Sequence, residues 1–270
     1  MVNAPDGRII FEHEREDLAK IVNITMSRND TNIAGGNFSF KVKDNDGKDY
    51  IIMTPTMMSQ AYLGELSPEQ ILVVEPHTRE VIAGEGKLTR EINLHEGVYD
   101  ANPDIRAVFH SHAKNNMFWA TSGLNEPNVT EATQKLKRIE TLDYEPNCSE
   151  PLAELVSDKI RELGDAGLMH LYLLDSHGIL ATVGKKGEVM DGLSAVHQAL
   201  AIVDTAEWNA EIAYKQAVFQ KLGLLDGFYS ESSKIGTLDD LIAGKSIYNR
   251  DAGRGVTKYS QGKAAIVNGD

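Results

Sequence analysis

The most informative stretch of the sequence is Ala107-Val108-Phe109-His110-Ser111-His112-Ala113. It has the pattern of an apolar strand that ends in two histidines. Side chains at positions i and i+2 of a strand point to the same face of the sheet. His110 and His112 are therefore expected to project two imidazoles to one side, close enough to bind one metal ion. Taken alone, the pair also fits two polar residues at a strand end.

Two distant residues strengthen the prediction of a metal site. Glu91 lies 19 residues before His110, and His177 follows a second apolar run, 65 residues after His112. Three neutral imidazoles leave a divalent ion its full charge and an open coordination position. Glu91 is the candidate for the base that a proton transfer near neutral pH requires. The alternative for Glu91 is an exposed acid or an N-cap partner at a helix start.

Further short motifs, in this order along the chain, resemble those of the class II aldolase/adducin family. They are residues 34–39 (AGGNFS), 51–56 (IIMTPT) and 66–71 (LSPEQI), followed by Glu91, the His110/His112 pair and His177-Gly178. The resemblance covers about residues 15 to 220. It implies that three histidines hold the metal and that Glu91 acts as acid and base. It also implies a homotetramer with metal sites near subunit boundaries.

The pattern of strands and helices predicts an α/β fold. Short apolar runs separated by hairpin signals favour six to eight strands in mostly antiparallel pairing, with helices on both sides. This indicates a three-layer α/β/α sandwich around a central sheet, which the resemblance also implies. The main helices are expected at 15–26, 91–102, 150–163 and 188–222, and residues 123–150 are expected to be loop-rich. Residues 1–222 are assigned to the catalytic domain and 223–270 to an irregular tail able to cover a neighbouring active site.

The composition limits which binding partners and which cellular compartment are expected. The 270 residues carry a net charge of −13, which argues against nucleic acid and against an anionic membrane surface. No signal peptide and no apolar run of about 18 residues is visible. Cys148 is the single cysteine, so no internal disulfide is possible, and a free thiol fits a reducing cytoplasm.

The resemblance also suggests which residues hold the substrate. Gly36, Asn37 and Thr56 match positions that hold a phosphate in the sugar-phosphate enzymes of the family. Thr89 and Arg90 stand where two serines are usual, and Arg90 brings a guanidinium suited to carboxylate or phosphate. A phosphorylated and a carboxylated substrate therefore both remain open. Met57 replaces a glycine of the family pattern.

These observations predict a metal-dependent aldolase that cleaves a small anionic, carbohydrate-like hydroxy-ketone through a metal-stabilised enediolate. Zn²⁺ is the expected ion, with Mn²⁺ and Co²⁺ as alternatives. An epimerase or a decarboxylase on the same scaffold is the second interpretation, and a non-catalytic adducin-like binding module is the third. A second proton-transfer group is also open, with these candidates: Glu131, Tyr229, Tyr248 and Tyr259. His95 and His197 are expected to be packed on apolar helix faces rather than to bind metal.

Overall fold

The computed structural model describes residues 10–33, 35–188, 190–225, 227–229 and 235–236. The helices in this part of the chain are Glu12–Arg28 (α1), Ile92–Ala101 (α2), Lys114–Ser122 (α3), Glu150–Leu163 (α4) and Gly192–Lys221 (α5). The strands are Asn37–Lys43 (β1), Asp49–Met53 (β2), Leu72–Val74 (β3), Val81–Ala83 (β4), Ile105–Ser111 (β5), Glu140–Leu142 (β6), Met169–Leu174 (β7), Gly178–Gly184 (β8), Phe228–Tyr229 (β9) and Ile235–Gly236 (β10). Short 3-10 helices occupy Pro68–Gln70, Glu131–Leu136 and Gly164–Leu168.

Eight of these strands form one sheet in the order β4-β3-β2-β1-β5-β8-β7-β6. Every neighbouring pair is antiparallel except β6 and β7, which run parallel. Strand β5, which carries His110, lies between β1 and β8, with His110 opposite Asn37 on one side and Leu180 on the other. The predicted, mostly antiparallel sheet is therefore confirmed.

The two faces of the sheet are covered by different helices. Ala107 and Phe109 belong to a core cluster shared with α1, α3 and α5, whereas Val108 belongs to a second cluster shared with α2 and α4. This division follows from the alternation of side chains along a strand, because odd and even positions from Ala107 to Phe109 face opposite layers. The alternation is broken before Ala107, where the pairing with β8 shifts register. The three-layer sandwich is confirmed. No helix in the described ranges is both long and apolar enough to cross a bilayer.

Besides shifts of up to three residues at the ends of other helices, three segments differ from the sequence-based expectation. The long helix begins at Gly192 rather than at 188, because the Asp191 carboxylate accepts a hydrogen bond from the backbone N–H of Ser194 (2.8 Å) and caps it. The loop-rich stretch 123–150 contains strand β6. The segment expected to be an irregular tail contains β9 and β10, which pair antiparallel; Tyr229 lies in β9, and Tyr248 and Tyr259 lie outside the described residues.

Candidate metal centre and active site

Three imidazoles converge at one end of the central strands. His110 ends the apolar part of β5, His112 follows that strand, and His177 lies in the turn between β7 and β8. One ring nitrogen from each lies within 4.8 Å of the others, and Nε2 of His112 is 3.2 Å from Nε2 of His110. The fold thus brings together the three residues that the sequence predicts as metal ligands.

A hydrogen bond from the side chain to the backbone of the neighbouring strand fixes the tautomer of His110. Its Nδ1 lies 2.9 Å from the carbonyl oxygen of Ile179 on β8, and a carbonyl can only accept a hydrogen bond. Nδ1 therefore carries the proton when the ring is neutral, and the lone pair of Nε2 points toward the other two histidines. An outer hydrogen bond of this kind is typical of histidines that bind metals.

The loop between α1 and β1 holds His112 in place. The Thr31 hydroxyl donates to the carbonyl of Gly35 (3.0 Å) and accepts from the backbone N–H of His112 (3.2 Å). A Cβ on Gly35 would lie 2.0 Å from Cε1 of His112, and one on Gly178 would lie 2.8 Å from Cδ2 of the same ring. These two glycines leave the space that the imidazole fills.

Glu91 lies beside the histidines at the N-terminal end of α2. It is 6% exposed, and its side chain makes no capping hydrogen bond, so the alternative of an exposed acid or N-cap partner is wrong. Oε2 accepts from Asn37 Nδ2 (2.6 Å) and is 3.5 Å from His110 Nε2, while Oε1 is 3.4 Å from His177 Nε2. Within the part of the chain that the structure describes, buried Oε1 has no hydrogen-bond donor.

The cluster sets the charge state of its own members. Burial alone would raise the pKa of Glu91, but the charge of His110, the hydrogen bond from Asn37 and the charge of His177 together lower that pKa to about 2. Burial lowers the pKa of His112 to about 3 and that of His177 to about 4, and repulsion from His110 adds to both shifts. His112 and His177 are therefore neutral near pH 7, as metal coordination requires.

The donor set fits a divalent ion. Three imidazole nitrogens with a carboxylate oxygen alongside match the preferences of Zn²⁺ and its neighbours in the first transition row. A buried carboxylate oxygen with no donor, as at Glu91 Oε1, is a group that a nearby cation would satisfy. The residues present therefore fit the metal that the sequence predicts.

A cavity of about 170 Å³ adjoins the cluster. The residues proposed for the substrate lie around this cavity. All five line it: Gly36, Asn37, Thr56, Thr89 and Arg90. Sequence reasoning missed five further lining residues, namely Ile33, Met58, Ser59, Gln60 and Asn147. Of these, Ser59 and Gln60 could have been found from their proximity to Thr56, whereas Asn147 is brought in by the tertiary fold alone.

Four other residues that the sequence analysis considered lie in different environments. Cys148, for which the sequence offers no nucleophile context, lines the cavity, and burial raises the pKa of its thiol. Glu131 begins the 3-10 helix Glu131–Leu136 and does not line this cavity. His95 is fully buried, as expected. The expectation for His197 is wrong, because its side chain is 54% exposed and its Nε2 lies 3.2 Å from Oδ2 of Asp17.

The fold and the cluster together define an α/β protein with a candidate metal site of three histidines beside a buried glutamate. A family model described as Class II Aldolase and Adducin N-terminal domain matches residues 16–213, and the chain belongs to this family. Enzymes of the class II aldolase type use a divalent metal. The family assignment and the three-layer fold agree with the resemblance drawn from the sequence motifs.

Relatives carry one recurring activity in their names. The chain is 30% identical over 200 residues to an L-fuculose phosphate aldolase of Methanococcus vannielii, covering 70% of this chain and 98% of the relative. It is 32% identical over 170 residues to an L-fuculose phosphate aldolase of Methanococcus maripaludis, covering 63% and 83% respectively. The crystal structure of L-fuculose-1-phosphate aldolase from Thermus thermophilus superposes with a TM-score of 0.60 at 22% identity, covering 77% of this chain and 97% of that one, which shows the common fold.

Proposed function

We propose that the protein is a metal-dependent aldolase that cleaves a carbon–carbon bond in a small anionic hydroxy-ketone. One observation carries the proposal: a buried carboxylate, Glu91, lies within 3.5 Å of two of three converging imidazoles, His110 and His177, and lines a cavity. This arrangement provides both parts of the chemistry, a site for a cation and a group that can move a proton beside it.

The three histidines would hold the ion, which we take to be Zn²⁺, with Mn²⁺ and Co²⁺ as alternatives. Such an ion would polarise the carbonyl of the substrate and stabilise the enediolate that forms when the carbon–carbon bond breaks. The chain contributes the orientation of this site, since the Ile179 carbonyl fixes the ring of His110 and Thr31 fixes the backbone at His112.

Glu91 would exchange a proton with the substrate. Its Oε2 accepts the hydrogen bond from Asn37, while Oε1 makes no hydrogen bond to the described residues and lies 3.4 Å from Nε2 of His177. A carboxylate held at one oxygen and free at the other is positioned for general acid–base catalysis. In this assignment Glu91 is the catalytic residue.

The anionic end of the substrate would lie against the loops that line the cavity. Glycine at position 36 has a φ of 102°, a backbone geometry that exposes amide groups and that side-chain-bearing residues rarely adopt. Arg90 adds a cationic fork and Thr56 and Thr89 add hydroxyls. L-Fuculose phosphate is the first substrate to test, because relatives of 30–32% identity are named for it.

We further propose a homotetramer in the cytoplasm. The described chain exposes several large apolar side chains on α3 and α5, among them Phe118 (46%), Trp208 (60%) and Phe219 (49%). Exposed apolar surface of this extent is typical of an interaction face. Sedimentation of the purified protein measures its mass directly, and a monomer at micromolar concentration would contradict the assembly.

The activity is tested with metal analysis and product analysis on the same preparation. We expect about one divalent ion per chain, cleavage of L-fuculose 1-phosphate or another ketose phosphate into two fragments, and loss of both metal and cleavage in His110→Ala and His177→Ala with the fold retained. Less than about 0.1 metal per chain without rebinding would favour a binding module. A product with an inverted hydroxyl or with carbon dioxide would instead identify an epimerase or a decarboxylase.

A further inference from the structure

A buried chain of hydrogen bonds runs from the candidate catalytic residue into the protein. Oε2 of Glu91 accepts from Nδ2 of Asn37 at 2.6 Å, and Oδ1 of Asn37 lies 2.5 Å from Nε2 of His95. Beyond the ring, Oγ of Ser39 lies 2.7 Å from Nδ1 of His95 and 2.7 Å from the hydroxyl oxygen of Tyr99. All five residues are at most 6% exposed.

Each hydrogen bond in this network has one possible direction from donor to acceptor. An ionised carboxylate only accepts, so the group of Asn37 that faces Glu91 is the amide NH₂. The amide oxygen then faces His95, and because an oxygen of this kind only accepts, Nε2 of His95 carries a proton. A neutral imidazole has one N–H, so its Nδ1 is an acceptor.

The remaining two bonds follow from the same rule. The Ser39 hydroxyl donates to Nδ1 of His95, and the Tyr99 hydroxyl donates to the oxygen of Ser39. Burial lowers the pKa of His95 to about 3, although the negative charge of Glu91 opposes this shift. The ring is therefore neutral near pH 7.

We propose that His95 is a positioning residue whose Nε2–H holds the Asn37 amide in the orientation that points an N–H at Glu91. If the amide turned over, its oxygen would face Oε2 of Glu91 at 2.6 Å and its nitrogen would face the N–H of His95. Acceptor would then meet acceptor, and donor would meet donor. His95 thereby keeps Oε2 occupied and leaves Oε1 for the reaction, a role that rests on the proposed function of Glu91.

Kinetics of two variants test this role. In His95→Leu the Asn37 amide is no longer held, and we expect kcat to fall about 10- to 100-fold with KM and metal content unchanged. Glutamine places an amide nitrogen near the position of Nε2, so His95→Gln should recover most of the loss. His170→Leu is the matched control, because His170 is also buried (6% exposed) but lies at the start of β7, away from the cavity. A wild-type kcat in His95→Leu would overturn the proposal.

The tautomer is measured without any turnover. In the metal-free full chain labelled with ¹⁵N-histidine, the His95 signals, assigned by their loss in His95→Gln, should show a neutral ring protonated at Nε2 from about pH 5 to pH 8. Protonation at Nδ1, alone or together with Nε2, would contradict the donors and acceptors assigned to these hydrogen bonds. If the wild-type protein cleaved no ketose phosphate, the proposed function would fail, and this measurement would still decide how His95 is bonded.

Discussion

At the scale of single residues, Glu91 makes the most direct prediction. Glu91→Gln keeps the size of the side chain and removes the charge and the proton acceptor, so metal content should stay normal while kcat falls by about 10²-fold or more. Metal analysis and steady-state kinetics on one preparation measure both. Glu96→Gln is the control, because this carboxylate lies on the same helix but bonds Arg79 (2.7 Å). A near-normal rate in Glu91→Gln would remove the residue from the mechanism.

A second residue prediction concerns the space around His112. Gly35→Ala would place a Cβ 2.0 Å from the imidazole, so the ring must move out of the cluster, and we expect metal affinity to fall at least about tenfold. Gly167→Ala serves as the control, because its added Cβ comes no nearer than 3.1 Å, to the hydroxyl of Tyr172. Calorimetric titration with Zn²⁺ compares the two. Equal affinity in both variants would show that His112 can be displaced without loss.

The four residues of the cluster could be predicted from the sequence, but the residues that hold them in place could not. The spacing of His110 and His112 on one strand carries information that a sequence shows directly. The environment of His95 does not, because Asn37 and Ser39 reach it through the pairing of β1 beside β5. His197 was misjudged for a related reason: an apolar helix face says which side is buried only once the neighbouring elements are known.

At the scale of secondary structure, the start of α5 depends on a cap. Asp191→Ala removes the side-chain bond to the Ser194 N–H, and the free energy of unfolding should fall by about 1 kcal/mol. Asp191→Asn keeps an acceptor at the same place and should cost less. Urea denaturation followed by circular dichroism gives both values. A loss in Asp191→Asn as large as in Asp191→Ala would contradict the capping role.

Local patterns predicted most helices and strands and failed where pairing is distant. The helix at Glu150–Leu163 and the strand at Met169–Leu174 were expected at these bounds, since each shows its own periodicity. Strand β6 is three residues long and pairs in parallel with β7 across about thirty intervening residues. Glu140-Thr141-Leu142 has no pattern of its own that would reveal such pairing.

At the scale of the whole molecule, a buried acid contributes to how stability depends on pH. Glu126 is 1% exposed, and its oxygens accept from Asn116 Nδ2 (2.6 Å) and Asn209 Nδ2 (2.7 Å). Burial raises its pKa from 4.5 to about 8, although the two amide bonds oppose the shift. The folded state therefore holds a proton that the unfolded state releases above pH 4.5.

The contribution of Glu126 to stability should accordingly decrease as pH rises from about 4.5 to about 8, by up to about 1.4 kcal/mol per pH unit, and level off above that range. Glu126→Gln is permanently neutral, and rotation of the Asn116 amide would give it a donor and an acceptor. The difference in unfolding free energy between Glu126→Gln and wild type should therefore grow with pH across this window. Glu188→Gln, at an exposed site, is the control. A difference that stays constant would contradict the shifted pKa.

The dispersion of the candidate metal ligands along the chain would have a thermodynamic consequence. His110, His112 and His177 come from the end of β5 and from the β7–β8 turn, and they meet only when the centre of the sheet is assembled. An unfolded chain offers no such triad, so a bound ion is linked to folding as any ligand of the native state alone would be. Each tenfold rise in free ion above its dissociation constant then adds about 1.4 kcal/mol to the native state. If the ion binds as proposed, the abundance of the folded protein should follow the supply of metal around it.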